Sequence, residues 1–283
     1  MSDRALVTQI ARRHLPPDIA ERWLRLLRPA AALRQAAPGN PVAGVLGGSP
    51  RLPDSAEWPF WDGHGPLSFV ASIDCAALAA VPLDIALPPA GTLLFFYFDG
   101  QYDNGQATVG YWNPGSAAGA RALYVNPGQR ASIRVCPDGI RAYERVDLTV
   151  EPVMTFPGAE HPDLQAAFMA PGEDLRAFLG HPVNDGQFAA SLAERTPGPR
   201  HQVGGYACPV QGPVEWEVAI AALGNPDPRD PRVAAEQAQW TLLAQIDTDD
   251  RAGMMWGDCG TLYWLSRFAD SQFTNTSFTW QCS

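Results

Sequence analysis

The sequence predicts an α+β protein with a β-rich core from a duplicated two-strand unit with a pseudo-twofold relation, N-terminal helices and a helical middle segment. An apolar run that ends in Ile-Asp at residues 69–74 recurs at residues 242–247. Each run is followed by a Gly-Thr-Leu segment rich in aromatic residues, at 91–98 and at 260–265. Short apolar and aromatic runs of this kind are typical of buried strands. We expect an internal repeat, spanning approximately residues 66–98 and 240–267, to form one core.

Composition excludes several classes of chemistry. The chain has 283 residues and a net charge of −10, and its 20 basic residues are all arginine. Without lysine, it has no Schiff-base nucleophile, no Walker-type phosphate loop and no Ser-x-x-Lys acylation motif. An acidic surface repels nucleic acid, which we therefore do not expect as a partner, whereas a basic protein partner would be attracted.

Cysteine usage and hydropathy predict a soluble, cytoplasmic protein. The five cysteines are an odd number and none stands in a Cys-x-x-Cys pair, as expected of free thiols in a reducing compartment. The N-terminal residues lack the apolar core of a secretory signal. The most apolar segment, residues 93–98, is too short to span a membrane, so no membrane association is expected.

The chain divides into two parts. Residues 1–37 are predicted to be a helical segment packed on the core, because Ile19, Trp23 and Leu26 recur at helical spacing. Residues 38–283 are predicted to form a single β-rich domain. Within it, residues 38–65 form a Gly- and Pro-rich loop, residues 122–125, 132–135 and 148–153 read as strands, and residues 161–195, 213–224 and 231–239 read as helical.

Motifs along residues 40 to 283 resemble the YwqG-like family of bacterial proteins of unknown function. The motifs lie in both halves of the chain: Leu46-Gly-Gly-Ser-Pro-Arg-Leu-Pro53, Trp58-Pro59, Ile73-Asp74, Gly204-Gly-Tyr206 with Gln211, Trp240 to Asp249, and Met254-Met-Trp-Gly-Asp258. The chain departs from the family pattern at Ser72. The family more often has glutamine before this isoleucine, as the second repeat has at Gln245. The resemblance implies no agreed activity, but members often lie in toxin and immunity gene neighbourhoods.

Carboxylates near the second repeat strand are the first candidates for chemistry. Asp247 and Asp258 belong to an acidic cluster at a strand end, and Asp74 occupies the place of Asp247 in the first repeat. Such carboxylates could collect a hard cation or act as acid and base, although short carboxylates more often accept hydrogen bonds from turn amides. The spacing does not match an EF-hand loop, and no metal site is predicted.

Candidate binding residues complete the prediction. They are Trp58, Asp74, His201, Tyr206, Gln245, Asp247, Trp256 and Asp258. The tryptophans would form a platform for a sugar or a protein partner if exposed, and would fill the core if buried, which we favour. The histidines have no metal-ligand spacing, no Gly-x-Ser-x-Gly elbow is present, and no cofactor is expected.

These features favour a non-enzymatic binding or protein-interaction module, with a toxin-immunity role as one form of it. A hydrolase or metal-assisted enzyme using Asp74, Asp247 and Asp258 is the alternative.

Overall fold

The structure is a computed structural model, and it describes residues 2–196, 198–268, 270, 273 and 275–283. The helices are α1 (Asp3–His14), α2 (Pro17–Leu24), α3 (Cys75–Leu78), α4 (Pro162–Phe168), α5 (Leu175–Phe178), α6 (Gly186–Ala193), α7 (Val214–Ala222) and α8 (Pro231–Gln237). Two 3₁₀ helices span Pro114–Gly119 and Pro182–Asn184.

The strands dominate both halves of the chain. They are β1 (Arg28–Gln35), β2 (Gly44–Leu46), β3 (Arg51–Pro53), β4 (Phe60–Trp61), β5 (Gly65–Pro66), β6 (Ser68–Asp74), β7 (Thr92–Tyr97), β8 (Ala120–Val125), β9 (Ala131–Ile133), β10 (Val146–Thr155), β11 (Gln202–Val203), β12 (Trp240–Asp247), β13 (Thr261–Arg267) and β14 (Thr276–Gln281). The predicted α+β class with a β-rich core is confirmed.

Ten strands form one antiparallel sheet in the order β14-β13-β12-β11-β1-β10-β2-β6-β7-β8. The two end strands, β14 and β8, approach each other, so the sheet is nearly closed into a barrel. Near closure protects strand edges that would otherwise present unpaired backbone groups. The inner faces bury the largest apolar cluster, in which the ring centroids of Phe95 and Trp264 lie 5.0 Å apart.

The two strand pairs singled out in the sequence have the same register. Asp74 pairs with Thr92 between β6 and β7, and Asp247 pairs with Thr261 between β12 and β13. Each pair carries an irregularity at the corresponding place, between residues 69 and 71 and between residues 242 and 244. The pairs also occupy the same positions counted from opposite ends of the sheet.

The N-terminal segment differs from the helical expectation over residues 1–37. Helices α1 and α2 end at Leu24, and residues 28–35 form the central strand β1, between β10 and β11. The alanines of β1 favour helix intrinsically, but their small side chains allow the strand to be buried on both faces of a crowded sheet. Trp23 of α2 packs into a second cluster, where its ring lies 5.0 Å from that of Phe188.

Helices from the middle of the chain cover the sheet at β12, β13 and β14. Helix α7 packs on these strands and helix α8 packs on α7, and together they form a third apolar cluster. Within the described residues, no helix has both the length and the apolar character to cross a membrane.

Candidate functional site

Two adjoining cavities lie beside the central strands β1, β10 and β11. One has a volume of about 250 Å³ and the other about 230 Å³, and they share the wall residues Gly158, Ala207 and Pro209. We call them the arginine cavity, lined by Arg34, Arg195 and Arg200, and the glutamate cavity, lined by Glu160 and Glu215. A larger depression of about 1010 Å³ lies along β8, at one end of the strand order, and few of its lining residues are ionisable.

Three buried glutamines hold the loop that separates the cavities, residues 204–213. Gln245 of β12 accepts a hydrogen bond from the Cys208 amide at 2.9 Å and donates to the Arg200 carbonyl at 2.7 Å. Gln202 donates to the carbonyls of Gly204 and Tyr206. Because each amide side chain satisfies two or more groups at once, the loop is fixed to the sheet.

Gln281 of β14 completes this support. Its Oε1 accepts hydrogen bonds from the amides of Val210 and Gln211, both at 2.9 Å, and its Nε2 donates to the Gly212 carbonyl at 2.8 Å. The side chain is 1% exposed. The far end of the loop is therefore fixed to the last strand as firmly as its near end is fixed to β11 and β12.

His201 is buried beside the arginine cavity and links Asp247 to Asp249 through its two ring nitrogens. Its Nδ1 accepts a hydrogen bond from the Asp247 amide at 3.0 Å, so the ring proton lies on Nε2, which donates to Asp249 at 3.0 Å. Asp249 also receives the guanidinium of Arg251. Burial would raise the pKa of Asp249, but the hydrogen bonds from His201 and Arg251 outweigh it and hold that pKa well below its ordinary range.

In the arginine cavity, two of the three guanidinium groups are already neutralised. Arg195 binds the Asp3 carboxylate and donates to the Met154 carbonyl at 3.0 Å, and Arg34 lies 3.7 Å from Glu151. The guanidinium of Arg200 instead contacts the Sγ atom of Cys208. Among the described residues, no carboxylate lies within 4.0 Å of it.

In the glutamate cavity, Glu215 is buried without a partner. Only 6% of its surface is exposed, and it lies in the first turn of helix α7, just after Pro213. Within the described part of the chain, its carboxylate makes no hydrogen bond or ion pair. Burial raises the pKa of Glu215 from its ordinary 4.5 to about 7, against smaller opposing effects of its own backbone amide and Arg28.

A cluster around Tyr206 joins the two cavities. Tyr206 lines the arginine cavity, and His161 of the same cluster lines the glutamate cavity. Tyr206 donates to Asp163 at 2.7 Å, and the Arg28 guanidinium lies 4.2 Å from the Tyr206 ring centroid and 2.8 Å from Asp163. Burial lowers the pKa of His161, which faces the same ring, to about 4; the nearby Asp163 carboxylate opposes this shift and Arg28 adds to it. His161 is therefore neutral at pH 7, and the charge of Arg28 is matched by Asp163 and Asp84.

The structure brings four of the sequence-predicted site residues to this region. His201 and Tyr206 line the arginine cavity, while Gln245 and Asp247 stand behind its wall. Asp247 accepts hydrogen bonds from the Arg200 amide at 3.0 Å and from the Thr261 hydroxyl. Their arrangement shows that these residues fix the shape of the cavity.

The other predicted site residues lie elsewhere. Asp74 is the N-cap of α3 and accepts a hydrogen bond from the Ala76 amide at 2.9 Å, and Asp258 is exposed in a turn. Trp256 is 2% exposed in the largest apolar cluster. Trp58 is half-buried, and its indole N–H donates to the Leu67 carbonyl at 2.8 Å. Another loop tryptophan, Trp112, is 53% exposed.

Sequence reasoning missed Glu215 and Arg200. Glu215 stands in a Val-Glu-Trp-Glu segment that looks like the polar face of an ordinary surface helix. Arg200 lies in a loop five residues after Arg195, and no recognised binding motif includes it. The proline at residue 213 before the helix was the one visible signal that Glu215 lies in a first helical turn. Among the described residues, no group of three histidine, cysteine or acidic side chains is placed to hold a metal ion.

A family model described as a domain of unknown function, DUF1963, matches residues 45–282. The match covers most of the chain and includes the lining of both cavities, apart from Ala32 and Arg34 of β1. A comparison with curated proteins gives no match. The chain belongs to the DUF1963 family.

Proposed function

We propose that this member of the DUF1963 family is a non-enzymatic binding module that accepts a basic side chain of a protein partner in the glutamate cavity. The observation that supports this most strongly is the unpaired carboxyl group of Glu215, buried at a cavity of about 230 Å³. An ionised carboxylate in such a place is costly unless a cation reaches it. A bound guanidinium or ammonium group would supply that cation.

The surroundings of Glu215 favour a cation over other ligands. Glu160 lines the same cavity, and His161 is neutral at pH 7 and so does not repel a positive charge. Arg28 is paired with Asp84 and Asp163, and its effect on the pKa of Glu215 is smaller than that of burial. The net charge of −10 would also draw a basic partner towards the protein.

The cavity is small, which limits what enters it. A volume of about 230 Å³ lies below the usual range for drug-sized ligands, roughly 300–1,000 Å³. It suits the end of one arginine or lysine side chain. We therefore expect the rest of the partner to lie on the surface around the loop 204–213.

Acetyl-arginine amide, with its uncharged citrulline counterpart, provides the direct test. Isothermal titration at about pH 8 should detect the arginine compound and not the citrulline compound. Glu215→Gln should weaken binding about tenfold or more, since one buried charge pair is removed. Glu57→Gln is the matched control, because it removes the same charge from an exposed site. Equal affinity of the wild-type protein and Glu215→Gln for the arginine compound would refute the proposal.

The alternative, a hydrolase or metal-assisted enzyme, has less support from the same contacts. Asp74 and Asp247 accept hydrogen bonds from the backbone amides of Ala76 and Arg200. These are the local roles that short carboxylates commonly have at strand ends. An activity screen in which Asp247→Asn abolishes turnover and Glu215→Gln does not would favour the enzyme instead.

We also propose that the sheet arose by duplication of a two-strand unit. A second proposal is that the chain is related to the YwqG-like proteins that its motifs resemble. The matched registers and bulges of β6-β7 and β12-β13 support the duplication. A toxin-immunity role follows from the resemblance alone. Five free thiols fit a cytoplasmic location.

A further inference from the structure

The arginine cavity is a second place with uncompensated charge, and its sign is opposite to that of the glutamate cavity. Its charged lining consists of Arg34, Arg195 and Arg200, with no aspartate or glutamate. In a chain of net charge −10, a cavity of about 250 Å³ with this lining is unusual. Partly buried charges are ordinarily paired, because burial without a counter-charge is costly.

Arg200 is the member of this set that is available to a ligand. Asp3 and the Met154 carbonyl bind the two terminal nitrogens of Arg195, so that only its buried Nε has no partner. Arg34 has Glu151 and the Pro199 carbonyl. Arg200 has the Cys208 thiol as its contact, and within the described residues no carboxylate comes within 4.0 Å of its guanidinium.

The backbone around Arg200 is fixed before any ligand arrives. Its amide donates to Asp247 and its carbonyl accepts from Gln245. On the opposite side, the Cys208 amide is held by the same Gln245 side chain. A backbone that is already fixed does not have to be ordered when a ligand binds, which favours affinity.

We propose that the arginine cavity binds an oxyanion, either a carboxylate or a phosphate group, and that Arg200 is the residue that binds it. A guanidinium donates two parallel hydrogen bonds to such a group. The volume admits a small free anion or the anionic end of a larger molecule. The proposal does not rest on the function of the glutamate cavity, since each site is tested with its own probe.

Cys208 provides a reporter inside the cavity. Its thiol displaces iodide from either iodoacetate or iodoacetamide and forms an S–CH₂ bond, and the products are distinguished by mass spectrometry of the peptide. Any effect of Arg200 on ionisation of the thiol applies equally to both reagents and cancels in the ratio of their rates. The ratio therefore measures how strongly the cavity prefers an anion. Exposed Cys259 supplies the internal reference on the same molecule.

We expect the ratio of iodoacetate to iodoacetamide labelling at Cys208 to exceed that at Cys259 about tenfold at low salt, and Arg200→Gln to remove most of this excess. Arg229→Gln, at an exposed arginine, is the matched control for loss of one positive charge. An equal ratio at the two cysteines in the wild-type protein would overturn the proposal.

Protection of the wild-type protein distinguishes the source of the anion and needs no variant. Inorganic phosphate or acetate is added at the ionic strength of a sodium chloride reference, and iodoacetamide labelling of Cys208 is followed. Slowing by phosphate alone assigns a phosphate group, slowing by acetate alone assigns a carboxylate, and slowing by both supports a site for either. Labelling at the chloride rate with both anions would overturn the proposal.

Discussion

Replacing Glu215 by glutamine should stabilise the protein increasingly as the pH rises. Burial raises the pKa of Glu215 from 4.5 to about 7 in the folded chain. Between these two values the folded protein holds a proton that the unfolded chain releases. The free energy of unfolding of the wild-type protein therefore falls as the pH rises through this window, and it levels off above about pH 7. Glutamine does not titrate, so the variant avoids this loss.

The size of the effect follows from the two pKa values. Each tenfold change in proton affinity corresponds to about 1.4 kcal/mol, so a pKa rising from 4.5 to about 7 corresponds to about 3 kcal/mol in total. Part of the loss has already occurred at pH 5. Between about pH 5 and about pH 8 we expect the free energy of unfolding of Glu215→Gln to rise by about 2 kcal/mol relative to the wild-type protein.

Urea unfolding followed by tryptophan fluorescence, at intervals of about half a pH unit, measures this difference. His161 titrates in the opposite sense, because its pKa is lowered to about 4 and its contribution to stability is lost as the pH falls from 6.5 through that value. That contribution is present in both proteins and cancels when one curve is subtracted from the other. Glu57→Gln is the control for simple loss of charge. Parallel stability curves for the wild-type protein and Glu215→Gln would refute the reasoning.

Three further outcomes are expected. Gln245→Leu should lower the free energy of unfolding by about 2–4 kcal/mol, because the Cys208 amide loses its partner in a buried setting. Hydrogen exchange of the backbone amides in the loop 204–213 should also accelerate, and unchanged exchange would contradict this. Gly205→Ala should cost at least about 2 kcal/mol more than Gly253→Ala by urea unfolding. Both glycines have a positive φ, +71° and +67°, but only at Gly205 would the new Cβ clash with other atoms, Thr155 Oγ1 and, at 2.8 Å, Ala30 Cβ; equal losses would argue against this packing. Binding of acetyl-arginine amide should strengthen as the pH rises through about 7, and a flat titration profile would count against Glu215 as its partner.

The parts of the fold that could be predicted from sequence are those with strong periodic or apolar signals. Strands β6, β7, β12 and β13 consist of apolar and aromatic runs, and the structure places strands there within a few residues. Strand β1 could not be predicted, because Arg28–Gln35 is rich in alanine and its conformation is decided by pairing with β10 and β11. Strand β11 has two residues and leaves no periodic pattern.

The candidate site was predictable only where motif and chemistry coincide. Tyr206, His201 and Gln245 were selected from the sequence, and the structure places all three around the arginine cavity. Glu215 could not be selected, because the cavity beside it is closed by residues 158–161, which are distant in the chain, together with residues 207–213 of the preceding loop. A charge at the start of a helix is usually a solvated one, and only tertiary contacts make this one different.

The two halves of the sheet differ at the positions that build the site. Beside β6, Val45 pairs with Ser72, whereas beside β12 the corresponding pair is Gln202 and Gln245. Valine and serine side chains are too short to reach a neighbouring loop, while the two glutamines bind four backbone groups of the segment from Arg200 to Cys208. A glycine pair in the left-handed region follows both short strands, so the chain turns alike in each half. The backbone therefore turns alike in both halves, and the two glutamines of one half hold the loop that forms a wall of the arginine cavity.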